Sequence, residues 1–331
     1  MATTVINAFS EFLKNTVNLD LDVTATARSS RDNLISNING FSGEDDFFDV
    51  YTERNLKFGS FARHTKIREL DDIDLMICLS AEGERTYSEN FSCIRIIGSE
   101  KDKTNGLLID GTNYLNSTKV INRFIAKLTI LNDYSKAEMH KNQEAATLKL
   151  KSYTWNFDIV PCFYTTGDFY LIPDGSGNWK KTDPRIDNDR TTSVNQEHDG
   201  NLLNLIRLMK YWNNRKCTLK IGSYLLECMI LNQYEAKSKA DNWWIDLEFK
   251  ELLNKLSSAI LYEVNDPKGI QGNLNNFSIN DKFKISAALS EAYKKACDAR
   301  EFEIKGDQKK SINKWREVLG TDFPTYTGDQ L

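Results

Sequence analysis

Two hydrophobic rhythms divide the chain. From about Val5 to Ile38 apolar residues fall at helical spacing, with a polar break near Asn18–Asp22, so a helical N-terminal arm is expected. The period then shortens to two. Arg54–Phe58 alternates polar and apolar and stops at Gly59, and Asp72–Leu79 is an apolar-rich run after a polar break. Ala146–Tyr153 alternates, and Trp155–Phe163 reads as a further strand with Pro161 near its end. Between these, Ile121, Phe124, Ile125, Leu128 and Leu131 predict a helix over 115–131. After Gly200 the helical period returns in 202–213, 224–236, 244–256, 283–302 and 311–318. The stretch 165–200, with Asp174-Gly175-Ser176-Gly177-Asn178 and Asp183-Pro184, reads as loop or lid. The expected fold class is therefore α/β (α+β): a core with a mixed sheet over 1–198, then a helical lobe over 199–331, with a cleft between the two.

Composition changes this picture little. The chain has 331 residues, 40% hydrophobic and 27% charged, enough for a sizeable core at a length of about two domains. Its net charge of −4 disfavours a protein that coats nucleic acid, while leaving room for a local basic pocket. No window approaches about 18 consecutive apolar residues, and residues 1–20 lack the basic start and apolar block of a signal peptide. The six cysteines and three histidines show no spacing that suggests zinc, so reduced, buried thiols and a cytoplasmic location are expected.

The chemistry lies in the acids. On a strand, Asp72 and Asp74 project from one face, about 6–7 Å apart at the backbone, while Ile73, Leu75 and Ile77 line the other. Two carboxylates aimed at one point repel unless a cation lies between them, and a pair of Mg²⁺ ions clamping a phosphoryl displacement is a natural solution. Asp158 stands in the apolar Asn156–Val160, where an unpaired carboxylate is costly. On a strand beside the first it can contact one metal and take the proton of a ribose hydroxyl. A structural, salt-bridged Asp is the alternative.

A phosphate side is suggested more weakly. Gly59 allows close backbone approach, and Ser60 stands where a short helix over 61–67 is expected to begin, as a phosphate ligand or as an ordinary cap. Lys210 flanks the stripe of Leu202, Leu205, Ile206, Met209 and Trp212, where it is either a phosphate ligand or a snorkelling surface lysine. Ser223 and Tyr224 follow Gly222 at a helix start, suited to an anion and a stacked base, or to a cap and a core tyrosine.

Gly59-Ser60, then Asp72-x-Asp74, then Asp158 on a later strand resembles the polymerase-β-type nucleotidyltransferase superfamily, and within it the bacterial cyclic GMP–AMP synthase-like enzymes, the CD-NTases. The ordered segments GSFARHT, DDIDLMICL, FDIVPCF, Ile172–Pro184, LIRLMKYWN, GSYLLE and WREVLGTDFP carry the resemblance from about residue 55 onward. It implies a nucleotidyltransferase core with an N-terminal spine helix behind both lobes. It implies that Asp72 and Asp74 bind two Mg²⁺ ions (Mn²⁺ being a substitute), joined at one by Asp158. Gly59 and Ser60 then hold the donor triphosphate, Lys210 and Ser223 reach its phosphates, and Tyr224 stacks on a base. The implied reaction joins nucleoside triphosphates, ATP among them, into a cyclic di- or trinucleotide messenger of anti-phage (CBASS) signalling, releasing pyrophosphate. A synthase of linear products, an enzyme that tails RNA or protein, and a non-catalytic NTP sensor are the competing readings. The spacing of the animal DNA sensor's zinc insertion is missing and the net charge is negative, so activity without a nucleic-acid activator is expected; a monomer with a regulatory protein partner is the accompanying expectation.

Overall fold

The computed structural model describes residues 2–82, 85–90, 93–99, 103–239 and 241–328, with Lys216 through its backbone alone. Packing divides the chain into two compact units. One comprises 22–63 and 70–188; the other comprises 1–21, 64–69 and 189–331.

The first unit is built on a mixed sheet. Its strands, in chain order, are β1 (Leu56–Phe58), β2 (Asp72–Cys78), β3 (Tyr87–Glu89), β4 (Ile94–Ile96), β5 (Glu138–Asn142), β6 (Ala145–Lys149), β7 (Asn156–Tyr164), β8 (Tyr170–Pro173) and β9 (Trp179–Thr182). The order across the sheet is β1-β2-β7-β8-β9-β4-β3, with β6 also pairing β7 and β5 pairing β6. β2 and β7 run parallel, and β1 and β6 flank them antiparallel. Both central strands share one design. Ile73, Leu75, Phe157 and Ile159 are buried, while Asp72, Asp74, Asn156 and Asp158 between them stay half-buried; toward their C-terminal ends both faces close. Aromatic residues fill the buried side, where Phe47 meets Phe124 edge-on at 5.0 Å. Phe124 belongs to α4 (Ser117–Thr129), capped by Asn116 as the periodicity over 115–131 leads one to expect.

The stretch expected to be loop or lid is ordered. Residues 170–182 form the hairpin β8–β9, and α5 (Pro184–Glu197) follows. The Asp/Gly/Ser-rich segment is the hairpin's turn. Asp174 Oδ1 accepts from the Ser176 and Asn178 N–H groups, and Gly175 and Gly177 take positive φ. α5 escaped the periodicity because its sequence is mostly polar.

The second unit is helical. It holds α1 (Val5–Phe12), a π-turn at Leu13–Val17, most of α5, and α6 (Leu202–Lys216), α7 (Ser223–Glu235), α8 (Ile245–Ala259), α9 (Ile279–Ile304) and α10 (Gln308–Leu319). α1 buries Val5, Ala8, Phe9 and Phe12, the single face that helical spacing produces. Phe9 meets Trp315 at 4.9 Å and Phe323 at 5.0 Å, both edge-on. These contacts explain why packing assigns the first helix to the helical unit, whereas the sequence boundary at 198/199 sets it with the sheet. The N-terminal arm breaks after Val17, and α2 (Leu21–Asn39) passes into the sheet unit. Among the described residues no helix is long and apolar enough to cross a membrane.

Candidate active site

The parallel register of β2 and β7 sets Asp74 beside Asp158 and Asp72 beside Asn156. Alternation turns all three acids to the same side, and one oxygen from each lies within 4.8 Å of the others. Such a cluster is self-repelling, and a divalent cation among the oxygens is the chemistry that relieves it. The donor set therefore fits a hard cation. From β6, whose Thr147 sits opposite Asp158, the Thr147 hydroxyl donates to Asp158 Oδ1 at 2.6 Å and fixes that carboxylate.

Gly59 belongs to the same cluster. β1 sets Phe58 beside Asp74, and the chain then turns at Gly59 with φ +73°. A Cβ at this position would lie within the Asp74 carboxylate, so glycine is needed both for the backbone conformation and for the space. The helix expected over 61–67 is instead a single turn, α3 (Gly59–Ala62), with Ser60 as its second residue. It ends early because His64 takes φ +59° and 64–69 join the helical unit. There Ile67 bridges Asn18, and the Arg68 N–H donates to the Val17 carbonyl.

The remaining expected site residues, Lys210, Ser223 and Tyr224, belong to the helical unit. Lys210 is no snorkelling surface residue. At 3% exposure it is buried, its ammonium paired with Glu227 (2% exposed) and donating to the Thr65 carbonyl at 3.0 Å. Thr65 in turn donates its hydroxyl to Glu227 at 3.0 Å. The apolar flank position misled because Glu227, its counter-charge, sits amid the apolar run of α7. Ser223 is exposed at the first turn of α7, where Gly222 takes the cap position. Tyr224 is half-buried, and its hydroxyl donates to Asp266 at 3.0 Å. The structure thus brings Asp72, Asp74, Asp158 and Gly59 together. It adds Thr147, Thr65 and Glu227, to which the sequence assigned no role, although Thr65 and Glu227 close the segments GSFARHT and GSYLLE and Thr147 pairs with Asp158 across the sheet.

No protein-family profile matches the chain. A probable cyclic nucleotide synthase of Bacillus cereus strain VD146 is 43% identical over 337 residues, covering 98% of this chain and 99% of that protein. The chain belongs to the bacterial CD-NTases. It is an enzyme, a nucleotidyltransferase, and a cyclic oligonucleotide synthase of the CBASS group. A cyclic AMP-AMP-AMP synthase of an Acinetobacter species is 27% identical over 59% of this chain and 58% of its own. The CD-NTase fold is seen again in CdnC of E. coli MS115-1, solved with ATP and with HORMA-deltaN. CdnC matches with a TM-score of 0.67 at 15% identity, over 96% of this chain and 98% of CdnC.

Proposed function

We propose that this CD-NTase condenses nucleoside triphosphates, ATP among them, into a cyclic di- or trinucleotide messenger with release of pyrophosphate. The convergence of Asp72, Asp74 and Asp158 beside Gly59 carries the reading. Asp72 and Asp74 would hold two Mg²⁺ ions, or Mn²⁺ in their place, with Asp158 a ligand of one. When bound, such ions neutralise phosphate charge and acidify a hydroxyl. Asp158, steadied by Thr147, accepts the proton of the attacking ribose hydroxyl. Gly59 and Ser60 receive the donor triphosphate, Lys210 and Ser223 serve its phosphates, and Tyr224 stacks on a base. The linear intermediate rebinds and is closed in the same pocket.

CdnC, solved with ATP and with HORMA-deltaN, supports triphosphate substrates and a regulatory protein partner. The net charge of −4 supports activity without a nucleic-acid activator. A cytoplasmic monomer belongs to the same reading. Incubation with the four triphosphates and Mg²⁺, phosphatase treatment and mass spectrometry test the proposal. A phosphatase-resistant cyclic product, lost in Asp72→Ala/Asp74→Ala, is expected. Linear products alone, or unchanged synthesis in that variant, overturn it.

A further inference from the structure

The connection between α8 and α9, residues 260–278, is long for a link inside a helical unit, yet it is tightly built. Asn275 donates to the Ile260 and Tyr262 carbonyls at 2.7 and 2.6 Å, and Asn273 Oδ1 accepts from the Val264 and Asn275 N–H groups. At its tip Asp266 closes a turn. Its Oδ2 accepts from the Ile270 and Gln271 N–H groups at 3.1 and 2.9 Å. The Asp266 side chain is fully buried and Lys268 nearly so, and their charged ends meet at 2.9 Å.

Both act on Tyr224. The Tyr224 hydroxyl donates to Asp266 Oδ1 at 3.0 Å and accepts from the Lys268 ammonium, which stands at the hydroxyl end of the ring, 4.2 Å from its centroid. A buried ion pair contributes little net stability, because desolvation offsets the attraction; its attested use is to select one arrangement. Here the arrangement selected is that of one aromatic ring.

We infer that Asp266 and Lys268 are positioning residues that hold Tyr224 as a stacking platform for the base of a nucleoside triphosphate. This rests on the reading of Tyr224 as a base-stacking residue. The hydroxyl anchors at both its donor and acceptor sides, which fixes the ring's tilt. Prior ordering of the ring lowers the entropy lost when a base binds.

The test compares Tyr224→Ala, Tyr224→Phe, Lys268→Met and Asp266→Asn in the full chain. KM for ATP, kcat and Tm are measured for each. The inference expects Tyr224→Phe and Lys268→Met to raise KM about five- to tenfold with kcat changed less than about twofold, and Tyr224→Ala to raise KM further. Asp266→Asn gives the same KM change even where its Tm falls. If Tyr224→Ala leaves KM unaltered, the stacking reading itself fails. If Tyr224→Ala raises KM but Tyr224→Phe and Lys268→Met do not, stacking stands and the positioning role is overturned.

Discussion

The Asp74 carboxylate occupies the volume that a side chain on residue 59 would need. Gly59→Ala therefore faces two penalties, a left-handed backbone and a displaced metal-site acid. The backbone term is about 1–2 kcal/mol, a modest fall in Tm. The catalytic term is larger, because Asp74 cannot move without leaving the cluster, so kcat/KM should drop by more than about tenfold. Thermal melts beside steady-state rates separate the two, and near-parental rates would show that Asp74 has slack.

Thr147→Val removes the hydroxyl that holds Asp158 and preserves the strand and its volume. One hydrogen bond to a charged group is worth about 1.5–3 kcal/mol, so kcat should fall at least about tenfold with KM nearly constant. Asp158→Asn should cost far more. A Thr147→Val enzyme with parental kcat would show that Asp158 is oriented by other means.

Cation binding should be visible without turnover. A ligand that binds only the folded state raises Tm by mass action, so Mg²⁺ titrated into the chelated enzyme should stabilise it. Asp72→Asn/Asp74→Asn should abolish that response. With Mg²⁺ withheld it should melt higher than the parent, since it relieves the repulsion among the three acids. An identical Mg²⁺ response in both proteins would remove the cation from this site.

Lys210 flanking an apolar stripe suggests that Lys210→Ala costs nucleotide affinity more than stability. Its burial against Glu227 reverses that weighting. Removing one partner of a buried pair strands the other, at about 3–5 kcal/mol. Lys210→Met alone should melt markedly lower, and Lys210→Met/Glu227→Gln should recover most of the loss. The double variant should nevertheless stay weak for ATP, because it lacks the ammonium proposed to serve the phosphates. Equal destabilisation in single and double variants would dismiss the coupling.

Asp266 supplies a pH signature. Burial alone raises its pKa, but hydrogen bonds from Lys268 and the Gln271 N–H, with the Lys268 charge, outweigh it and hold the carboxyl at about 2. Its folded pKa is thus depressed, so the stability it contributes is present above about pH 4 and is lost as pH falls toward 2. The Tm gap between the parent and Asp266→Asn should narrow over that interval. A constant gap would contradict the assignment.

How far each feature was legible in sequence follows from how local its cause is. Asp72, Asp74 and Asp158 could be read because period-two alternation both buries Ile73, Leu75, Phe157 and Ile159 and turns the acids outward. β8 and β9 were hidden because each is four residues long and the turn chemistry of 174–178 dominates the segment. α5 lacks an apolar stripe, so no hydrophobic period marks it as a helix. The burial of Lys210 was hidden for a different reason. A lysine reads as a surface residue until its buried counter-ion is known, and Glu227, though it closes the segment GSYLLE, sits in an apolar run that gives no sign of facing Lys210. Asp266 and Lys268 depend on a fold of the 260–278 link that no periodicity encodes.

The helical unit is threaded from three pieces of chain, and this governs when it can form. Val5 N–H donates to the Gln308 side chain across a sequence separation of 303 residues, and Phe9 finds Trp315 and Phe323 at the far end. No single cut releases either unit intact, so limited proteolysis should not yield a stable 199–331 fragment. On the ribosome α1 must wait, its apolar face uncovered, until the segment carrying Gln308, Trp315 and Phe323 has emerged. Its chaperone dependence should therefore be concentrated in Phe9 and Phe12, the residues made earliest and seated last.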